Sequence, residues 1–318
     1  MLSLLQVKNP LTYFIICVLL GTNCNDPVSE KKDTMTQQSL FPAEVVDFIP
    51  YKANPVFSGT GSNTWDEEIR ERGYILKEAD GYHLWYTGYK KNGDNTMYLG
   101  YATSPDGYTW QRHKENPVFR ESWTEDMMVI KSDSIYYMFA EGLDDIAHML
   151  TSTDKIHWKD HGSLQIRYTN GQLLSKGPYG TPTVWREDNI WYLFYERNDE
   201  AIWLASSKDL VVWTNVQDSP VLNKGPEAYD KFGVAFNQVI KYKGIYYGYY
   251  HGTAFKDWSE WSTNVAVSKD LVNWKKYDGN PIMKENKSSG ILVHDGSQYR
   301  LYTMHPEVCV HFPATSKQ

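Results

Sequence analysis

The chain has 318 residues, 41% hydrophobic and 15% aromatic, enough for a sizeable core in one large all-β domain or two smaller ones, and incompatible with disorder or a coiled coil. A formal charge of −7 argues against a polyanionic partner such as nucleic acid, because affinity for a phosphate backbone depends on clustered Lys and Arg. Twenty-four Tyr, 12 Trp and 11 Phe supply strand formers with flat, amphipathic faces suited to stacking on sugars.

The N-terminus reads as an address. Lys8 precedes an apolar run from Leu11 to Leu20, short for a bilayer span and of signal-peptide length, so residues 1–24 are expected to direct secretion. Cys24 in LLGTNC is a candidate lipid-bearing cysteine, which would tether the protein to a periplasmic or outer-membrane surface; Asn23 fits poorly before such a cleavage point, so simple cleavage nearby stays open. Residues 25–40 form a polar tether, residues 41–318 a single domain, and no later segment has transmembrane character. The cysteines Cys17, Cys24 and Cys309 suit neither a disulfide framework nor a zinc site.

From residue 41 onward the chain repeats itself. SPDGYTW (Ser104 to Trp110), STDKIHW (Ser152 to Trp158), SKDLVVW (Ser207 to Trp213) and SKDLVNW (Ser268 to Trp274) share Ser-x-Asp-x3-Trp, with starts 48, 55 and 61 residues apart. Each follows an alternating apolar strand, and Pro117, Pro220 and Pro281 each lie seven residues beyond a motif tryptophan. Paired aromatic strands hinged at Asp or Gly turns complete each unit, as in YILKEADGYHLWYTG and NQVIKYKGIYYGYYHG, with a fifth such pair in GILVHDGSQYRLYTMH. A four-stranded antiparallel unit of this length, repeated, predicts a five-bladed β-propeller. The segment EVVDFIPYKANPVF (Glu44 to Phe57) is expected to complete the last blade, closing the ring and covering its edge. The four motif tryptophans are expected only to pack between blades, since one active site does not need four.

Equivalent positions of different blades meet at the axis. At the start of the first strand these are Glu71 and Arg72, Glu125 and Asp126, Tyr179 and Gly180, Phe236 and Asn237, and Asn286 and Lys287; at the end of the second they are Thr87, Glu141, Glu196, His251 and Met304, followed by His305. The scaffold repeats while these positions vary, as a single asymmetric site requires. Crowded carboxylates raise one another's pKa, so that one can stay protonated as an acid beside an ionised base.

The segments TWDEEIRERG with HLWYTG, YATSPDGYTWQRHKENPVF, WTEDMMV with YYMFAEG, and WYLFYER with SKDLVVW give a chain that resembles the five-bladed β-propeller glycoside hydrolases, the superfamily of families 32, 43, 68, 117 and 130. The resemblance implies hydrolysis of a plant or algal oligo- or polysaccharide, exo-acting, with a carboxylate base or nucleophile on the first blade, a tuning carboxylate on a middle blade and a third as acid. Arg72 stands where the family-43 pattern has Asp, so Glu71 or Asp66 would supply the base. Glu196 or Glu141 would be the acid and Asp126 the tuning partner, with His251 a further proton donor by likeness to family 117. Arg72, Arg197, Asn237 and His305 are candidate ligands for substrate hydroxyls or carboxylates, Glu125 matches a middle-blade site position, and Trp123 and Tyr179 are candidate stacking platforms. No cofactor is expected, and a structural cation held by His251 or Glu125 stays open. The rivals are a lectin-like propeller, a sialidase-like enzyme, and a phosphorylase whose phosphate pocket would begin with Lys287 and Arg72.

Overall fold

The computed structural model describes residues 40–315 except 71, 92, 94, 95 and 176. The expected leader, Cys24, nearly all of the tether, and Glu71 lie outside the described residues.

Strand-forming runs separated by Asp, Asn and Gly turns give five antiparallel sheets around one axis. The first blade comprises Tyr74–Glu78, Gly81–Tyr89, Tyr98–Ser104 and Gln111–Arg112. The second comprises Glu125–Ser132, Ile135–Gly142, Ile146–Ser152 and Lys159–Ser163. Thr183–Glu187, Ile190–Glu196, Ala201–Ser207 and Trp213–Asn215 form the third, and Gly233–Tyr242, Ile245–Thr253, Ser262–Ser268 and Trp274–Lys276 the fourth. Ile291–His294, Tyr299–Thr303 and Cys309–Pro313 form the fifth, completed by Phe48–Pro50, which pairs antiparallel with Cys309–Pro313. Each inner strand contacts the next, and the last returns to the first. The ring is therefore closed, with its final edge covered by the N-terminal strand.

The repeated motif acts as a turn lock. In every copy the serine hydroxyl donates to the aspartate, and aspartate Oδ1 accepts the backbone N–H groups two and three residues on, as Asp154 does from Ile156 and His157. The motif tryptophan then packs on the second strand of the preceding blade. Trp158 meets Trp85, Trp213 meets Phe139 and Trp274 meets Phe194, with ring centroids 6.1, 6.0 and 5.8 Å apart. The contacted residues Trp85, Phe139 and Phe194 pair with Tyr74, Met128 and Thr183 at the same register of their blades. These tryptophans cement blades together, away from the axis.

Candidate active site

The register on the second strands places Thr87, Glu141, Glu196 and His251 two residues beyond Trp85, Phe139, Phe194 and Tyr249, which are equivalent. Glu141, Glu196 and His251 line one axial cavity of ≈ 340 Å³, together with Arg70, Asp126, Asp145, Thr181, Asn198, Asp199, Trp258 and Trp261.

Inner strands enter this region through irregular backbone. Arg72, Asp126, Thr181 and Ser289 precede the first regularly paired residue by two positions, and all four have left-handed φ values between 43° and 58°. Such φ values are unfavourable for side chains with a Cβ, and their recurrence at one register marks a strained entry held by the surrounding ring. In the fourth blade a bulge between Phe236 and Gln238 inserts Asn237 instead. The axial residues of the third and fifth blades are thus Thr181 and Ser289, rather than Tyr179 or Gly180 and Lys287 as the repeat spacing suggested. The reason is local: GPYGTP shifts the third blade's entry by one residue and NKSSG the fifth's by two.

Glu141 and Glu196 are buried and held by one backbone segment. Gly180 N–H donates to Glu196 Oε1 at 3.0 Å, while Thr181 donates to Glu141 Oε2 through its N–H at 2.7 Å and its hydroxyl at 3.3 Å. Asp199 N–H donates to Glu196 Oε2. A Cβ built on Gly180 would fall 2.2 Å from Glu141 Oε2 and 2.6 Å from Glu196 Oε1, so the two carboxyl groups crowd a position only glycine can occupy. Burial above all, then the charges of Asp126, Glu125 and Glu196, lifts Glu141 well above the ordinary carboxylate range. Burial likewise pushes Glu196 up to about 7, reinforced by Asp145 and opposed by the Asp199 and Gly180 N–H groups and Arg197. Two crowded carboxyls of this kind titrate as a pair and retain a proton near neutrality.

Arg72 lies beneath them, fully buried. Its Nε donates to Met127 O and its terminal nitrogens to Phe236 O and Pro182 O. Burial pulls the guanidinium below its ordinary value, while the charges of Asp126 and Glu141 support its ionisation. Arg72 is therefore a spoke joining four blades and a fixed positive charge under the acidic cavity, a correction to its expected role as a substrate ligand.

Three further expectations are corrected. Asp66 is buried outside the axial cavity, where Oδ2 accepts from Tyr86 Oη at 3.0 Å and Arg112 Nε at 2.8 Å, and Oδ1 from Thr64 Oγ1 at 3.0 Å. The fourth blade repeats this cluster with Tyr250, Asp230 and Lys276, so Asp66 belongs to the scaffold. Tyr179 is buried, and its hydroxyl donates to Leu164 O at 3.1 Å, leaving no free face for a sugar. Lys287 lines a separate cavity with Cys309 and His311, so it and Arg72 do not begin one phosphate pocket.

Asn237 Nδ2 lies 2.9 Å from His251 Nδ1 and fixes the imidazole, whose ring meets Trp261 edge-on at 4.8 Å. Glu125 accepts from Trp123 Nε1 at 2.7 Å and pairs with Arg70, which reaches the cavity. Arg197 packs over Trp203 and acts on Glu196 through its charge; neither it nor His305 is among the cavity-lining residues. Among the described residues, Glu78, Asp80 and His83 have metal-ligand spacing, but Lys155 Nζ already sits 2.9 Å from Glu78 and 3.1 Å from Asp80. Of the lining residues the sequence reading missed, Trp258 and Trp261 had a signal. The 61-residue step between the third and fourth motifs contains the loop 254–261 that carries them, where the second and third blades make short turns.

The fold is shared with solved structures of glycoside-active enzymes. A glycosyl hydrolase from Bacteroides ovatus superposes with a TM-score of 0.70 at 16% identity, covering 86% of this chain and 95% of that one. A β-1,2-mannobiose phosphorylase from Listeria innocua, in complex with β-1,2-mannobiose, superposes with a TM-score of 0.65 at 15% identity, covering 83% and 95%. No protein-family model matches the chain. By sequence it is similar to a 1,2-β-oligomannan phosphorylase of Thermoanaerobacter sp. (strain X514), 25% identical over 283 residues that cover 78% of this chain and 90% of that relative.

Proposed function

We propose that the chain cleaves glycosidic bonds at the axial cavity by carboxylate acid–base chemistry, with water as the acceptor and a β-1,2-linked mannoside as the substrate class. The observation that carries the reading is the crowded Glu141–Glu196 pair, buried on backbone N–H groups beside Asp126. Glu196, with a pKa of about 7, holds a proton for the glycosidic oxygen, and Asp126, which faces the Arg72 charge and lines the same cavity, accepts one from the attacking water. The C1–O bond breaks as Glu196 protonates the leaving oxygen; water oxygen bonds to C1 and its proton passes to Asp126. A lectin has no need of two buried, crowded glutamates.

The substrate class rests on the resemblance to the oligomannan phosphorylase, and it replaces the plant or algal saccharide expected from sequence. That same resemblance favours a second reading, in which phosphate is the acceptor. Electrostatics speaks for water: Asp126, Glu141, Asp145, Glu196 and Asp199 line the cavity against Arg70 and His251, and Arg70 is already paired with Glu125. A phosphate dianion needs a surplus of donors and positive charge. Incubating the protein with β-1,2-mannobiose, with and without inorganic phosphate, tests both readings. Mannose alone in either condition supports hydrolysis, phosphate-dependent mannose 1-phosphate establishes the second reading, and no cleavage of this or any oligosaccharide in a broad panel overturns the glycoside-cleaving proposal.

A further inference from the structure

Beside the axial cavity lies a second one of ≈ 500 Å³ whose lining includes Tyr98, Arg120, Trp123, Leu143 and His148. One turn separates the two: Glu141 and Asp145 line the axial cavity, while Gly142, Leu143 and Asp144 between them line the second. From this arrangement we propose that the second cavity is a subsite for a distal sugar of the substrate, binding an uncharged saccharide unit beyond the two that flank the scissile bond. The inference rests on the glycoside-cleaving reading above.

Its polar anchor is His148. The residue is 5% exposed, its Nδ1 faces Asp160 Oδ2 at 3.2 Å, and its Nε2 is buried with no partner in the protein. A buried polar atom left unmade costs about 1–3 kcal/mol, and a ligand hydroxyl entering the cavity would satisfy it. The tautomer follows from the partner. Asp160, held down to about 2 with the help of His148 and the Gly162 N–H, is acceptor-only, so Nδ1 carries the proton and Nε2 presents a lone pair to a hydroxyl. Gly142 leaves this edge approachable: a Cβ there would stand 3.6 Å from His148 Cδ2, 3.8 Å from Nε2 and 3.0 Å from Ile146 O.

The stacking surface is Trp123, half-buried, with its indole oriented by donation to Glu125, whose other oxygen pairs with Arg70 in the axial cavity. Leu143, 63% exposed, adds apolar surface at the mouth. Glu121, Asp144 and Asp160 also line the space, which disfavours an anionic ligand. An indole face, an apolar edge and a buried hydroxyl acceptor suit a neutral pyranose, and the volume falls within the range of ligand pockets.

The test compares β-1,2-mannobiose with β-1,2-mannotetraose by calorimetric binding to Glu196→Gln, in which turnover is slowed by roughly 10³-fold. The longer saccharide is expected to bind at least tenfold more tightly, and that gain to disappear when Trp123→Leu or, separately, Leu143→Asp is added. Leu143 is exposed, so the second substitution is compatible with folding. Equal affinity for both lengths, or a length-dependent gain that survives both substitutions, overturns the subsite while leaving the axial proposal standing. Failure of both saccharides to bind, with no cleavage of either by the unsubstituted protein, overturns the β-1,2-mannoside substrate class and this subsite with it, while the broad panel decides the axial reading.

Discussion

This propeller holds two kinds of buried carboxylate. Toward the blade interiors, Asp66 meets Arg112 and Asp230 meets Lys276, each also bonded to a tyrosine hydroxyl. At the axis, Glu141 and Glu196 accept hydrogen bonds from the backbone N–H groups of Gly180, Thr181 and Asp199 and from Thr181 Oγ1, and have each other as neighbours. The first arrangement repeats between blades and compensates buried charge with charge; the second, among the described residues, lies at the axis alone and keeps a proton in the pair. A buried acid bonded to a cation leaves an uncompensated charge when that cation is removed, whereas crowded acids bonded to neutral donors raise one another's pKa and make a site able to donate a proton near neutral pH.

The comparison breaks first at Glu196. Glu196→Gln is expected to lower kcat on the cleaved saccharide by roughly 10³-fold with no fall in the unfolding midpoint; a destabilised protein with near-normal turnover would place Glu196 with the scaffold acids. Lys276→Met should do the reverse, destabilising the protein by about 3 kcal/mol because Asp230 is left buried without its cation, with turnover retained at temperatures well below the midpoint. Denaturant titration beside kcat separates the two outcomes. Gly180→Ala is expected to cost roughly 10- to 100-fold in kcat, since its Cβ must push Glu141 and Glu196 apart; unaltered kinetics would show the crowding to be dispensable.

A titration sharpens the same contrast. Glu196 has a raised folded-state pKa, so its contribution to stability is fully present below the ordinary carboxylate value of 4.5 and is lost as pH rises through about 7. Unfolding free energy should therefore fall across that window, and Glu196→Gln should flatten the slope. As Glu196 is the proton donor, kcat/KM should decline above about pH 7. The smallest effect is expected at the outer turns: Asp270→Ala removes the acceptor for the Val272 and Asn273 N–H groups, costing about 1 kcal/mol with unchanged kcat.

Much of the scaffold was legible because its causes are local and recur. Ser-x-Asp-x3-Trp encodes a hydrogen-bonded turn and an inter-blade tryptophan within seven residues, and hairpin alternation fixed the second-strand register so well that Glu141, Glu196 and His251 were assembled correctly from spacing. First-strand entries were less legible. A bulge or an added residue there shifts one blade by one or two positions, as Thr181 and Ser289 show, without disturbing the hairpin beyond. Asp66 was misread because an acid near a conspicuous motif looks the same in sequence whether it faces an axis or an arginine. Trp258 and Trp261 were missed although the 61-residue interval announced their loop.

The sequence by itself determined the blade count, the closing N-terminal strand and which second-strand ends vary, since each depends on short-range patterns repeated along one chain. Only the tertiary structure decided that Arg72 is a buried spoke, that Asp66 belongs to a scaffold cluster, and that Gly180 brings two glutamates together. Those outcomes depend on side chains from different strands and blades meeting in space, inside the first blade for Asp66 and at the axis for Arg72 and Gly180, where burial and neighbouring charge, rather than local preference, set which carboxyl keeps its proton.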